Sequence, residues 1–196
     1  MKVRMMIALA LLGTSAGLAS AQTTTAPTAP AKPAAGATAA NKPALKGKHA
    51  AIEAAKIPIL DALAIAEKIG GPGTAIEFEF ERGDHNGPSF YEIQVLYPDG
   101  KLVEQVIDAN TGELLMSETQ SYQGEFAGID PKILQSAKTA LRDAITKAEK
   151  EIGGSARAVE AELDKVGSDL VYKIDLATPT GKQKVTVDKS GTVQKR

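Results

Sequence analysis

The sequence has 196 residues, a formal net charge of −1, no cysteine and no tryptophan. The absence of cysteine excludes disulfide bonds, thiolate metal sites and a lipid anchor on a cysteine thiol. The net acidic charge of residues 51–196 and the low content of aromatic residues, four Phe and four Tyr, argue against nucleic-acid binding.

The first twenty-one residues have the pattern of a secretory signal peptide. Lys2 and Arg4 give a positive start, an apolar run follows from Met5 to Leu12, and Ala19-Ser20-Ala21 forms a small-residue cleavage site. We therefore expect cleavage after Ala21 and a location in the periplasm or outside the cell. No later stretch approaches the length of about 20 apolar residues that a membrane-spanning helix needs.

Residues 22–48 consist mainly of Ala, Thr and Pro, with four lysines and no acidic residue. Such a segment has too little apolar surface to offset the entropy lost on ordering it, so its composition predicts a disordered tether. The lysines leave open a weak contact with anionic surfaces of the envelope.

Charge is divided unevenly over the rest of the chain. Residues 51–128 contain four basic and fourteen acidic residues, whereas residues 129–196 contain thirteen basic and ten acidic ones. Opposite charges on neighbouring segments favour their docking against each other, or direct different partners to each. Docking is the simpler explanation.

Residues 49–128 are predicted to form a first unit of one helix and three strands, with a short fourth strand left open. An almost wholly apolar helix covers about 58–69, and the segment 50–56 before it is expected to add a helical turn or two. Apolar and polar residues then alternate over 76–80 and 91–97, and an apolar run covers 102–107. The turn signals Pro98-Asp99-Gly100 and Asp108 to Gly112 make this an antiparallel meander.

Residues 129–196 follow the same order and are predicted to form a second, divergent unit. Asp130 and Pro131 are a suitable start for a helix whose apolar stripe continues to Ile152. Gly153-Gly154 repeat the helix stop seen at Gly70-Gly71. Three strands with apolar residues at alternate positions follow. Their apolar sets are Val159, Ala161 and Leu163; Leu170, Tyr172, Ile174 and Leu176; and Val185 and Val187.

These patterns predict the α+β class, with two small units that each pack a helix on an antiparallel sheet of three or four strands. A unit of about 60 to 70 residues is marginal in stability when it stands alone. We therefore expect the two units to share an interface.

Two motifs of the first unit are distinctive: Tyr91-Glu92-Ile93-Gln94-Val95 and Val106-Ile107-Asp108-Ala109-Asn110-Thr111-Gly112-Glu113. With these motifs the first unit resembles the PepSY domain over about 57–116. The second unit, about 131–195, departs from the pattern, because Asp188-Lys189-Ser190-Gly191 is one residue shorter and the helix is longer. The resemblance implies a protein without catalytic residues that restrains secreted thermolysin-like metallopeptidases or makes protein contacts in the envelope.

The remaining motifs give no catalytic, cofactor or metal site. His49 lies in or beside the tether and His85 lies in a glycine-flanked loop, so neither is placed to serve a rigid catalytic group. The run from Asp108 to Glu113 has its glycine one position early for a calcium loop and fits an Asx turn better. Gly70-Gly71-Pro72-Gly73 lacks the Gly-Lys-Ser/Thr sequence of a phosphate loop.

A row of glutamates is the main polar feature of the sequence. Glu77, Glu79 and Glu81 alternate with core residues, and Glu92 is expected to lie near them on the next strand. One interpretation is a solvated face whose charges discourage aggregation. The other is a docking surface for a basic partner or for the basic second half of the chain, and a divalent cation bridging the carboxylates is a further alternative.

The sequence thus favours an exported, non-enzymatic protein-binding module, with a peptidase inhibitor or regulator as the leading hypothesis. The alternative is a structural or accessory envelope protein, or a cation-responsive sensor that uses the acidic face. We expect a protein partner and no cofactor, no nucleic acid and no membrane span.

Overall fold

Eight antiparallel strands form one sheet in the computed structural model, which describes residues 47–83, 87–120, 139–167 and 169–196. The strands are β1 (Thr74–Glu81), β2 (Phe90–Leu96), β3 (Leu102–Asp108), β4 (Leu114–Gln120), β5 (Arg157–Val166), β6 (Asp169–Thr178), β7 (Gly181–Asp188) and β8 (Val193–Lys195). Their order across the sheet is β4-β3-β2-β1-β5-β6-β7-β8. Each half of the chain is therefore a four-stranded meander.

Three helices pack against this sheet: α1 (Gly47–Ala54), α2 (Ile59–Ala66) and α3 (Leu141–Ile152). α2 contacts β2 and β3, α3 contacts β5, β6 and β7, and α1 contacts β5, β1 and β6. Their buried side chains join those of the strands in a single core. Helices packed on an antiparallel sheet confirm the predicted α+β class. In the described part of the chain no helix combines the length and apolar character that a membrane crossing needs.

The alternation read from the sequence places the core as expected. Ile76, Phe78 and Phe80 on β1 are buried, and so are the predicted core residues of β2. The rings of Phe80 and Tyr91 lie 5.4 Å apart between centroids on neighbouring strands. Because side chains alternate between the two faces of a strand, the glutamates of β1 lie on the face opposite Ile76, Phe78 and Phe80.

The turn after β3 has the predicted Asx form. The backbone N–H groups of Asn110 and Thr111 donate to Oδ1 of Asp108 at 2.7 and 2.9 Å. Gly112 closes the turn at φ +75°, and a Cβ there would lie 3.2 Å from Cδ1 of Ile65 in α2. A glycine is required because the backbone is left-handed and the helix lies close.

The second helix was predicted to continue without a break from Pro131 to Ile152, and the described residues show a break at Thr139 and Ala140. α3 begins at Leu141, and Ala140 before it is extended, with φ −78° and ψ 159°. The carbonyl of Thr139 accepts a hydrogen bond of 2.9 Å from the hydroxyl of Tyr172, which fixes the chain just before the helix. Asp130 and Pro131 lie outside the described residues.

Two separate sheets were expected, but β1 and β5 join the halves into one. Three residue pairs form this contact: Glu77 with Glu162, Phe78 with Ala161 and Glu79 with Glu160. Arg142 of α3 also bonds Glu67, next to the end of α2, at 3.0 Å. The described residues accordingly belong to one compact unit.

The boundary between tether and fold also differs from the prediction. Gly47 and Lys48, which were assigned to the tether, form the first turn of α1. His49 follows as a buried residue whose Nε2 lies 3.0 Å from the carbonyl oxygen of Ser155. The expected helical turn before α2 is thus present and reaches across to the second half. His85 lies outside the described residues.

Candidate partner-binding face of the sheet

The face of the sheet opposite the core residues of β1 carries the predicted glutamates, and we call it the carboxylate face. Its centre is Glu79 on β1, which stands directly opposite Glu92 on β2 and Glu160 on β5. In the adjacent row, Glu77 stands opposite Glu162. The strand register therefore brings together the side chains that the sequence grouped, and it adds two glutamates from the second half.

The row through Glu77 extends to the edge of the sheet. Glu77 faces Gln94, Gln94 faces Glu104, and Glu104 faces Glu118 on β4. Like charges on directly opposed residues destabilise a sheet. This arrangement therefore lowers the free energy of unfolding wherever the carboxylates are ionised.

Lys48 is a cation at this centre that the sequence pattern did not indicate. Its Nζ lies 3.0 Å from Oε1 of Glu79 and 3.0 Å from Oε1 of Glu81. Burial lowers the pKa of Lys48, but the hydrogen bonds to the two glutamates outweigh it and hold the pKa above 10.5. One lysine thus ties α1 to two carboxylates of β1.

Glu92 has the most perturbed carboxyl group on this face. Burial, followed by the charges of Glu104, Glu79 and Glu81, raises the pKa of Glu92 to about 7, while Lys48 acts in the opposite direction. A carboxyl group with this pKa is partly protonated at neutral pH. The charge at the centre of the face therefore changes within the physiological pH range.

Two neighbours of Glu92 are shifted in the same direction. Burial and the hydrogen bond with Glu79 raise the pKa of Glu81, although Lys48 opposes this. Burial and the charge of Glu118 raise the pKa of Glu104. The carboxylate face thus accommodates protons more readily than isolated glutamates do.

The second half neutralises its own side of the face. Nζ of Lys184 lies 3.0 Å from Oδ2 of Asp175, and Lys182 bonds the same carboxylate. Burial raises the pKa of Asp175, but the hydrogen bonds from the two lysines outweigh it and hold the pKa below its usual range. Lys173 likewise bonds Asp164 and lies 3.8 Å from Glu162. The acidic character is consequently concentrated towards β1, β2 and β3.

The chemistry of the face suits binding. A concentrated acidic surface attracts basic partners and accelerates their encounter. Among the described residues, no three or more His, Cys, Asp or Glu side chains are placed together to hold a metal ion. His49, the described histidine, is a buried residue of α1, and its ring lies against the carbonyl oxygen of Ser155 in the second half.

Comparison with known families identifies the first half. Residues 56–118 match the PepSY family, described as "Peptidase propeptide and YPEB domain". This stretch of the chain is therefore similar to the PepSY domain. The match confirms the resemblance read from 57–116, and PepSY domains are generally propeptide or regulatory modules. The second PepSY-like unit stays a prediction.

The PepSY match covers α2, β1 to β3 and the first five residues of β4, so it includes all four predicted glutamates of the carboxylate face. A solved structure from Clostridium difficile 630, described as "a putative lipoprotein", is 24% identical to this chain with a TM-score of 0.43. The similarity covers 72% of this chain and 95% of that one. No curated protein matches the sequence.

Proposed function

We propose that this protein is an exported, non-enzymatic binding module that docks a basic protein partner on its carboxylate face. Glu77, Glu79, Glu81 and Glu92 form the contact surface. The observation that carries the proposal is the register that places Glu92 and Glu160 on either side of Glu79. Such opposed glutamates cost stability, and local rules are most often broken at functional sites.

The partner class follows from the family. A domain described as a peptidase propeptide suggests that the partner is a peptidase of the envelope or the extracellular space, which the module restrains or escorts. The N-terminal sequence supports export, because its charged start, apolar run and cleavage site are those of a signal peptide.

The test of restraint is inhibition of a peptidase by the purified protein, with thermolysin as the probe. We expect inhibition at micromolar protein that weakens as salt is raised, because salt screens charge pairs at a surface. Neutralising the face with Glu77→Gln, Glu79→Gln and Glu92→Gln together should weaken inhibition about tenfold. The matched control is Glu113→Gln with Glu151→Gln, two exposed glutamates elsewhere.

A pull-down from envelope extract with a tag after Arg196 supplies the second measurement. A peptidase should be retained by the unaltered protein and by the control variant, and lost with the triple variant. Absence of thermolysin inhibition together with absence of any retained peptidase would rule the restraining role out. Heat of binding in a calcium titration at micromolar metal would instead favour a cation-responsive envelope protein.

We also propose that residues 131–195 are a divergent PepSY-like unit. Matching hydrogen bonds support this. Oε1 of Glu67 accepts from the N–H of Ala75 at 3.1 Å, and Oε1 of Glu149 accepts from the N–H of Ala158 at 2.9 Å. Each links the end of a helix to the strand that follows. Asp188 also closes its turn through Oδ1, as Asp108 does in the first half.

A further inference from the structure

A groove lies at the β4 side of the sheet, on the face that carries the helices. Its volume is about 410 Å³, and it runs between the turn after α2, the turn between β2 and β3, and β4 itself. The side chains that matter most for its chemistry are Ile69, Tyr97, Val103, Gln105, Ser117 and Thr119. None of the four predicted glutamates lines it.

Gln105 lines this groove and carries a buried acceptor without a donor in the described part of the chain. The side chain is 1% exposed, and its Oε1 has no hydrogen-bond partner among the described residues. The amide orientation is determined by Tyr97. The hydroxyl of Tyr97 donates to the carbonyl of Ile69, so its oxygen accepts from Nε2 of Gln105 at 3.4 Å. A buried acceptor without a donor is unfavourable, which points to a ligand that supplies one.

The strand that borders the groove is an edge strand in the described sheet. β4 pairs with β3 on one side, and β4 is the first strand in the sheet order. Leu114 and Leu115, at its start, are 43% and 36% exposed, and they are two of the three exposed large apolar residues among the described ones. An edge with exposed apolar side chains is a template for pairing with another extended chain.

The charge on β4 selects the kind of chain. Glu118 is exposed and stands opposite Glu104 on the carboxylate face, where its charge adds to burial in raising the pKa of Glu104. A residue added on the outer side of Glu118 would lie on the same face, about 5 Å away. A lysine or arginine at that position would be paired with Glu118.

In an added strand, the residue next to the one beside Glu118 would point to the groove. That residue would lie beside Ser117 of β4, which is directly opposite Gln105 of β3. Because serine is small, a long side chain can extend over it towards Oε1 of Gln105. Consecutive residues of a strand point to opposite faces, so two adjacent long donors would reach Gln105 and Glu118 at once.

We propose that β4 accepts an extended segment of another protein as a ninth strand, and that this segment carries two adjacent basic residues flanked by apolar ones. One basic side chain donates to Gln105 in the groove, and the other pairs with Glu118. The flanking apolar residues cover Leu114 and Leu115. This site is separate from the docking of a folded partner on the centre of the carboxylate face, and it does not depend on that proposal.

The experiment uses a labelled nine-residue peptide of alternating Val and Thr with Arg-Lys at its centre. Fluorescence anisotropy measures its dissociation constant with the purified protein. Gln105→Leu should weaken binding about three- to tenfold, since one hydrogen bond is lost. Glu118→Gln should weaken it about two- to fivefold, and this loss should shrink at high salt. Glu151→Gln, an exposed change on α3, is the matched control and should leave binding unchanged.

A second peptide, with Glu-Asp in place of Arg-Lys, should bind at least tenfold more weakly. Equal binding of the two peptides, or an affinity unaffected by both Gln105→Leu and Glu118→Gln, would overturn the proposal. Gln105→Leu should fold, because it replaces a buried amide by an apolar side chain of similar size. If Gln105→Leu does not fold, the proposal is tested by peptide binding to Glu118→Gln and by hydrogen exchange of the unaltered protein with the peptide bound.

Hydrogen exchange locates the peptide. Its binding should slow exchange of the β4 amides and leave those of β8, the strand at the other end of the sheet order, unchanged. Slowed exchange on β8 instead would overturn the site. A peptide-independent dimer protected along β4 would show that a second copy of this chain is the occupant. Loss of peptide binding in the Glu77, Glu79 and Glu92 triple variant, with β4 unaffected, would assign the peptide to the carboxylate face.

Discussion

Tyr91 and Tyr172 hold equivalent positions in the two halves of the sheet. The hydroxyl of Tyr91 donates to the carbonyl of Ile57 at 2.8 Å, and that of Tyr172 donates to the carbonyl of Thr139 at 2.9 Å. Each acceptor lies two residues before the first residue of a helix, α2 and α3 respectively. Each tyrosine thus fixes the point at which the chain enters the helix above it.

Replacing either tyrosine by phenylalanine should lower the free energy of unfolding by about 1–2 kcal/mol, because a backbone carbonyl loses its donor while the ring remains. Urea denaturation of Tyr91→Phe and Tyr172→Phe measures this. The double variant should show the sum within about 0.5 kcal/mol, since the residues lie in different halves. Losses below about 0.3 kcal/mol would contradict the assigned role.

Glu92 should make the protein less stable as the pH rises from about 4.5 to 7. Its pKa is raised to about 7 in the folded state, so its contribution is full below the ordinary pKa of 4.5 and is lost as the pH passes the folded value. A shift of this kind corresponds to about 1–2 kcal/mol after allowance for solvent screening. Glu92→Gln should therefore raise stability at pH 8 and leave it almost unchanged at pH 4.5.

Urea midpoints at several pH values, for the unaltered protein and for Glu92→Gln, test this. Glu113→Gln, an exposed glutamate, is the matched control. A stability difference that is the same at pH 4.5 and pH 8 would show that Glu92 acts through packing and not through its charge.

Lys48→Met should destabilise the protein by about 0.5–1 kcal/mol at pH 8, because Glu79 and Glu81 lose their shared cation. The methionine keeps most of the apolar stem, so the effect reports charge. It should diminish at low pH, where the glutamates are protonated. The same variant should raise the pKa of Glu92 further, which carboxyl resonances in an NMR titration would detect. Lys56→Met, at an exposed lysine just after α1, should change neither quantity.

His49→Ala should lower the free energy of unfolding by about 2–3 kcal/mol, since it removes a buried side chain and its hydrogen bond to Ser155. The amides of α1 should also exchange faster with solvent, because α1 would lose an attachment to the second half. Lys56→Ala serves as the exposed control. Normal exchange in α1 of the variant would show that its other contacts suffice to hold the helix.

Sequence patterns were sufficient for the local parts of the fold. Alternation over 76–80 and 91–97 identified the buried face of β1 and β2, and Asp108 with Gly112 identified the turn after β3. These features depend on residues close together in the chain. The same alternation put Glu92 near Glu79, because consecutive strands of a meander are neighbours and side chains of one face lie together across them.

Local sequence patterns could not predict that β1 and β5 join the two halves into one sheet. Alternation shows which face of β1 is buried, but it does not show that β5 is its second neighbour. That pairing joins Glu79 to Glu160, far apart in the chain, and it even places like charges opposite each other. Here the closure of one continuous core outweighs a local electrostatic cost.

Lys48 and the start of α3 were missed for a related reason. Lys48 sits at the end of a segment rich in Ala, Pro and Lys, whose composition hides the short helix. The available signal was the spacing of His49 and Ile52, three residues apart on one helix face. The extended residue before Leu141 follows from a tertiary hydrogen bond to Tyr172, which no local pattern contains.

The three residue pairs that join β1 to β5 set how the molecule would respond to mechanical load. Apart from the pairing with the three-residue strand β8, every other pair of neighbouring strands has more paired residues than β1 and β5. In the β1–β5 pairing, glutamates also stand opposite each other. Two further contacts connect the halves: Arg142 bonds Glu67, and His49 of α1 lies against the carbonyl oxygen of Ser155. Tension applied between the two halves should therefore separate β1 from β5 first. The sheet would divide into two four-stranded halves before either half unfolds.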